Sequence, residues 1–254
     1  SADAYVAGFL AELQSAIEAD EPDFDLHLLP PKERRHFETV AAGYYRLGNR
    51  VVRIDFARKS DYDMVVRALA HLAVPASRAN HLVEVMTGMH DGRIILDDAH
   101  GVPCPSPAGV LPALASVLFS LWYRASADFL AVHAGLVGFR GRTVLVPGQS
   151  GSGKSTATAA LLSLGAVYMS DDVVALGRGN LAASGFPFPL TVKADNAPRL
   201  SALFPDLAAQ HDSIRVDGKH LRYITPARVG RRGQVVGAGG PVDAVIFPRY
   251  RANA

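Results

Sequence analysis

Gly148-Gln149-Ser150-Gly151-Ser152-Gly153-Lys154-Ser155-Thr156 is entered from the apolar run Thr143-Val144-Leu145-Val146-Pro147 and left through Ala157-Thr158-Ala159-Ala160-Leu161-Leu162. The order is strand, glycine loop, helix. Such an order turns successive backbone N–H groups inward around an anion, and the helix N-terminus adds a partial positive charge. The spacing G-x-x-x-x-G-K-S is that of a Walker A phosphate loop, in which the lysine reaches the terminal phosphates and the serine hydroxyl ligates Mg²⁺. The expected binding residues are therefore Gly148, Ser150, Gly151, Ser152, Gly153, Lys154, Ser155 and Thr156, with ATP and Mg as ligands.

The flanks carry further chemistry. Upstream, residues 129–138 and 143–147 read as two strands about Phe139-Arg140-Gly141-Arg142, an antiparallel hairpin that sets His133 roughly opposite Pro147 at the mouth of the loop. Downstream, a helix over 155–164 is stopped by Gly165, and a short strand over 166–170 is closed by Asp171-Asp172. If that strand runs parallel to the one entering the loop, both end on the same sheet edge and the two carboxylates fall beside the phosphates. Two neighbouring carboxylates suit divided labour, one ionised on Mg²⁺ and the other accepting a proton from an attacking hydroxyl.

The rest of the chain bounds the reading. Its 254 residues are 49% hydrophobic and 20% charged, with a formal net charge of +2. That balance gives no reason to expect a nucleic-acid partner. The single cysteine, Cys104, excludes an internal disulfide framework and a cysteine metal cluster. No apolar run reaches the ~20 residues that span a bilayer, and no basic-then-apolar leader is visible, so a cytoplasmic protein without a membrane partner is expected. Amphipathic spacing predicts helices over 4–19, 63–72 and 108–123, and strands are expected over 44–55 turning at Gly48-Asn49, at 81–85 and at 93–97. Beyond the double aspartate, short strands are expected at 173–176, 181–183, 221–224 and 242–247, with 186–193 extended, a loop at 211–218 and an irregular segment 230–240. The breaker-rich Gly101-Val102-Pro103-Cys104-Pro105-Ser106-Pro107 suggests a boundary between a small α+β region, 1–105, and a phosphate-loop domain, 106–254.

The chain has neither the N-K-x-D of a guanine-reading GTPase nor the L-S-G-G-Q of a transport ATPase. Instead His133-Ala134-Gly135-Leu136-Val137, Val146 to Ser155, and Ser170-Asp171-Asp172-Val173, in that order and spacing, resemble the catalytic domain of the HPr kinase/phosphorylase family. The resemblance covers about residues 126 to 195, with a weaker echo to 230. It implies a phosphoenolpyruvate-carboxykinase-like α/β fold and ATP- and Mg-dependent phosphorylation of a serine hydroxyl. It also implies Asp171 as catalytic base, Asp172 and Ser155 as metal ligands, and catalytic roles for Lys154 and His133. The E-I-R-G-L-G signature of the bacterial regulator is missing, and the N-terminal region does not look like that regulator's. The resemblance then points to relatives acting on another protein or on a peptide, with residues 1–105 recognising the acceptor. A metabolite kinase of the same fold and a nucleotide-dependent switch are the alternatives. Lys193, Arg222 and Arg228 are substrate-contact candidates, each also readable as a solvated charge, and Arg231-Arg232 reads as a surface pair. A homo-oligomer is compatible with this reading and not required by it.

Overall fold

The computed structural model describes residues 38–87, 92–97, 100–123, 129–149, 151–178, 180–226 and 238–249. The expected helix over 4–19, Ser150 of the glycine loop, Arg228 and Arg231-Arg232 lie outside these residues. The protein is mixed α/β and divides into two compact units, one from the described residues within 126–191 and 226–254, the other from those within 25–125 and 192–225. Among the described residues, no helix is long and apolar enough to cross a membrane.

The second unit is built on a five-stranded sheet ordered β1-β2-β3-β4-β5. Strands β1 (Ala41–Leu47) and β2 (Arg50–Phe56) form the expected hairpin, and Gly48 takes the positive φ of 60° that its two-residue turn demands. Val52, Ile54 and Phe56 alternate onto one buried face. Helix α1 (Lys59–Ala68) carries the chain to β3 (His81–Met86), which pairs parallel with β2. It starts earlier than its apolar spacing suggested because Asp61, fully buried in its first turn, accepts a hydrogen bond from Thr87 Oγ1. After β4 (Arg93–Leu96), β5 (His100–Pro103) closes the sheet. Helix α2 (Val110–Tyr123) packs on β4 and β5.

The expected division at 105/106 therefore falls inside this unit. The breakers there mark an edge strand, where Pro103 costs no ladder bond, and the entry to a helix that needs the same sheet to cover its apolar surface. The unit also holds a three-stranded sheet ordered β12-β14-β13, from the latter half of β12 (Leu190–Lys193) with β13 (Ser213–Ile214) and β14 (His220–Ile224). The short β13 lies where a loop was expected.

The first unit packs two four-stranded sheets. One is ordered β15-β11-β10-β6 and the other β16-β8-β7-β9. The strand expected over 129–138 is broken at the exposed His133 into β6 (Phe129–Val132) and β7 (Ala134–Phe139), which belong to different sheets. Val132 pairs with Val174 of β10 (Val174–Gly177), whereas Ala134 pairs with Pro147 of β8 (Arg142–Pro147). Leu130, Val132, Leu136, Leu145, Met169, Val174 and Leu176 form a shared core.

Helix α3 (Lys154–Ser163) follows β8 and leads to β9 (Val167–Ser170). Strands β8 and β9 are both antiparallel to β7, which lies between them, so they run the same way and end on the same edge. The helix lies close on β7: a Cβ on Gly135 would sit 2.4 Å from Thr158 Oγ1, so only glycine fits there. The remaining strands of the unit are β11 (Ala182–Gly185), β15 (Ala238–Pro241) and β16 (Ala244–Val245), the last pairing parallel with β8.

Candidate functional site

At the end of β8 the chain turns through the glycine loop, where Gly151 and Gly153 take φ of 86° and 99°. These left-handed conformations are open to glycine and strained for other residues. Gly153 is the N-cap of α3, and its carbonyl accepts from Ala157 N–H at 2.8 Å. The first N–H groups of a helix have no carbonyl partner within it, which leaves them aimed into the loop. Ser152 Oγ is buried there without a hydrogen-bond partner. Lys154, 7% exposed, folds back so that Nζ donates to Gly148 O and, at 3.2 Å, to Gln149 O. Thr156, the last residue of the motif, is exposed on the first turn of α3.

The double aspartate arrives beside this loop because β9 ends on the same edge, and its two carboxylates are placed differently. Asp171 is buried and Asp172 is exposed, where the chain bends just past the end of β9. Asp171 Oδ2 accepts from Ser155 Oγ at 3.1 Å and from Thr191 N–H at 3.1 Å, while its Oδ1 is buried with no hydrogen-bond partner. Burial, and then the neighbouring Asp172 charge, push the Asp171 carboxyl up to about 7, against the opposing pull of Thr191 N–H, the Ser155 hydroxyl and the Lys154 charge. Next to it, Asp172 Oδ1 lies 2.7 Å from His133 Nε2, with 67% and 56% of the two side chains exposed. The break between β6 and β7 makes this contact possible, because it frees His133 from both sheets just before Ala134 pairs with Pro147.

Lys154, Ser155, Asp171, Asp172 and His133 are thus brought together around one loop, all within one unit. Ser155 lies against Asp171, which the resemblance made the base, and the histidine lies against Asp172, which it made the metal ligand. Thr191, which the motifs did not reveal, supplies a backbone donor to Asp171; its place at the start of β12 carried no sequence signal. Arg222 and Lys193 belong to the other unit. Arg222 donates to Asp212 Oδ1 at 2.8 Å and to Leu207 O at 2.7 Å, pulling the Asp212 carboxyl below its usual range, and Lys193 is exposed at the end of β12. Among the described residues, no group of three or more His, Cys, Asp or Glu side chains forms a metal cage. No protein-family profile matches the chain, and no curated protein matches it.

Proposed function

We propose that the glycine-loop unit binds ATP with Mg²⁺ and transfers the γ-phosphoryl group to a serine hydroxyl of a protein or peptide. The observation that carries this reading is the pair of unlike carboxylates at the end of β9, one buried on Ser155 and one exposed on His133. A loop built only to hold nucleotide needs the first and has no use for the second. In this reading the α3 N-terminus and the loop N–H groups cradle the phosphates, and Lys154 exchanges its loop carbonyls for the terminal phosphates.

The residues present fit Mg²⁺. Asp171 Oδ1 is a buried carboxylate oxygen without a partner, and the Ser155 hydroxyl lies on the other oxygen of the same group. Mg²⁺ is commonly held by one or two such oxygens together with substrate phosphates, so a cage of protein ligands is not required. Bound there, the ion would neutralise charge on the transferring phosphoryl group.

The same distances lead us to exchange the two aspartate roles drawn from the resemblance, with Asp171 and Ser155 on the metal and Asp172 as the base. A base must reach an incoming hydroxyl and stay ionised beside it. Asp172 is accessible, and His133 Nε2, 2.7 Å from Oδ1, orients its carboxylate. In the transfer, the bond from the γ-phosphorus to the β,γ-bridging oxygen breaks, a bond to the serine oxygen forms, and the serine proton passes to Asp172. The exposure of Asp172 and His133 suits an acceptor presented on a macromolecular surface more than a metabolite enclosed in a pocket. Incubation with Mg·[γ-³²P]ATP and a serine-containing peptide library tests the proposal. Phosphoserine formed by the wild type and lost in Asp172→Asn supports it; equal labelling by both proteins refutes it.

A further inference from the structure

We infer that the segment from Ala244 to Arg249 forms the subsite for the nucleotide's base, with the Phe247 ring as its contact. The inference rests on the nucleotide site proposed above and adds the residues that hold the other end of the ligand. It follows from the strand order β16-β8-β7-β9. The glycine loop leaves the end of β8, and His133, Asp171 and Asp172 all lie toward β7 and β9. A γ-phosphate directed at those carboxylates leaves the nucleoside to depart on the opposite side of the loop, and that side belongs to β16.

Register brings an aromatic ring there. Strand β16 runs parallel to β8 with Ala244 level with Val144 and Val245 level with Leu145, and Ile246 N–H continues the ladder to Leu145 O at 2.8 Å. Continued past that last ladder bond, the same register would bring Phe247 level with Pro147, the last residue of β8. Paired strands lie about 4.8 Å apart, so on that course Phe247 would come within one side-chain length of the loop entrance. Because the pairing is parallel, the chain beyond β16 leads toward the loop edge and carries Arg249 with it.

The chemistry of the segment suits a flat heterocycle. Val245 and Ile246, 45% and 41% exposed, are the one consecutive pair of exposed large aliphatic residues among the described residues. They continue into the half-buried Phe247 and the exposed Arg249. A base can stack on an aromatic ring, and a guanidinium can lie against its face.

Titration calorimetry on the full chain tests this by comparing Mg·ATP with Mg·tripolyphosphate, which offers the phosphates without the nucleoside. Phe247→Ala and Phe247→Leu, each shown to be folded by circular dichroism, should weaken ATP binding by about tenfold, the low end of what removing a base-stacking ring does. Phe247→Tyr should retain it, and tripolyphosphate binding should be unchanged in all three. Unchanged ATP affinity in folded Phe247→Leu overturns the inference. Equal weakening of both ligands also overturns it, since the residue would then act through the loop. A wild type that binds tripolyphosphate as tightly as ATP overturns the base subsite and leaves the phosphate site standing, whereas a wild type that binds neither overturns the nucleotide site and this inference together.

Discussion

Asp171→Asn should make the glycine-loop unit more stable at pH 8 and less stable at pH 4, with a crossing between. The Asp171 carboxyl is raised from 3.8 to about 7 in the folded protein, chiefly because it is buried. Between those values the folded state holds a proton that the unfolded state has released, so stability falls as pH rises. The stability contributed by this group is fully present below about pH 4, declines through the interval, and is lost above about pH 7. A shift of about three units corresponds to roughly 4 kcal/mol at about 1.4 kcal/mol per unit. Asparagine does not titrate, but with its carbonyl oxygen accepting from Ser155 Oγ and Thr191 N–H its NH₂ takes the place of the buried, partnerless Oδ1. Leaving such a group unsatisfied costs about 1–3 kcal/mol at every pH. The difference at pH 8 is then about 1–3 kcal/mol in favour of the variant. Amide hydrogen exchange of β7 and β9, read at pH 5, 6, 7 and 8 without nucleotide or Mg²⁺ and corrected for intrinsic exchange rates, reports on the unit that holds the site. Parallel stability profiles for the two proteins would refute the argument, because they would show that Asp171 ionises as freely when folded as when unfolded.

Three further outcomes are expected. Lys154→Ala should weaken Mg·ATP binding by at least about tenfold in titration calorimetry, since hydrogen bonds to charged groups contribute about 1.5–3 kcal/mol, and unchanged affinity would remove the loop as the nucleotide site. Gly135→Ala should destabilise the unit by about 1–3 kcal/mol, because the new methyl would lie 2.4 Å from Thr158 Oγ1. Thr158→Ala, which removes a buried hydroxyl without a partner, should recover most of that loss in the double variant; additive effects in denaturant unfolding would contradict the close approach. His133→Ala should lower the transfer rate less than Asp172→Asn does and leave Mg·ATP affinity unchanged, because it acts by orienting Asp172, and a matching loss of affinity would place the histidine on the phosphates instead.

The parts of the fold read from the sequence are those whose signal is local. The glycine spacing and its apolar flanks located β8, the loop, α3 and β9, and Gly48-Asn49 located the first hairpin. What the sequence hid was settled by distant partners. The run from Phe129 to Gly138 is apolar except at His133 because its two halves pair into two sheets, and that lone exposed histidine is the one hint of the switch between them. The breakers around Pro103 looked like a boundary because an edge strand followed by a helix start uses the same residues as a linker. The units are also discontinuous, returning at 192 and again at 226, which no composition shift announces. At the site, adjacency of Asp171 and Asp172 was legible, but which of them turns inward depends on where β9 ends. Ser155 and His133 reveal that only once their distances to the two carboxylates are known.

The central claim is that the unit is a phosphoryl transferase whose exposed aspartate is the base. It is tested most directly by steady-state transfer kinetics of Asp172→Asn over a magnesium series, with a peptide that the wild type phosphorylates. The account predicts Mg·ATP affinity close to wild type and a catalytic rate lower by on the order of 10²–10⁴ that added Mg²⁺ does not recover. A near-normal rate, or a rate restored by Mg²⁺, would contradict it: the first would make the carboxylate pair structural, and the second would put Asp172 on the metal.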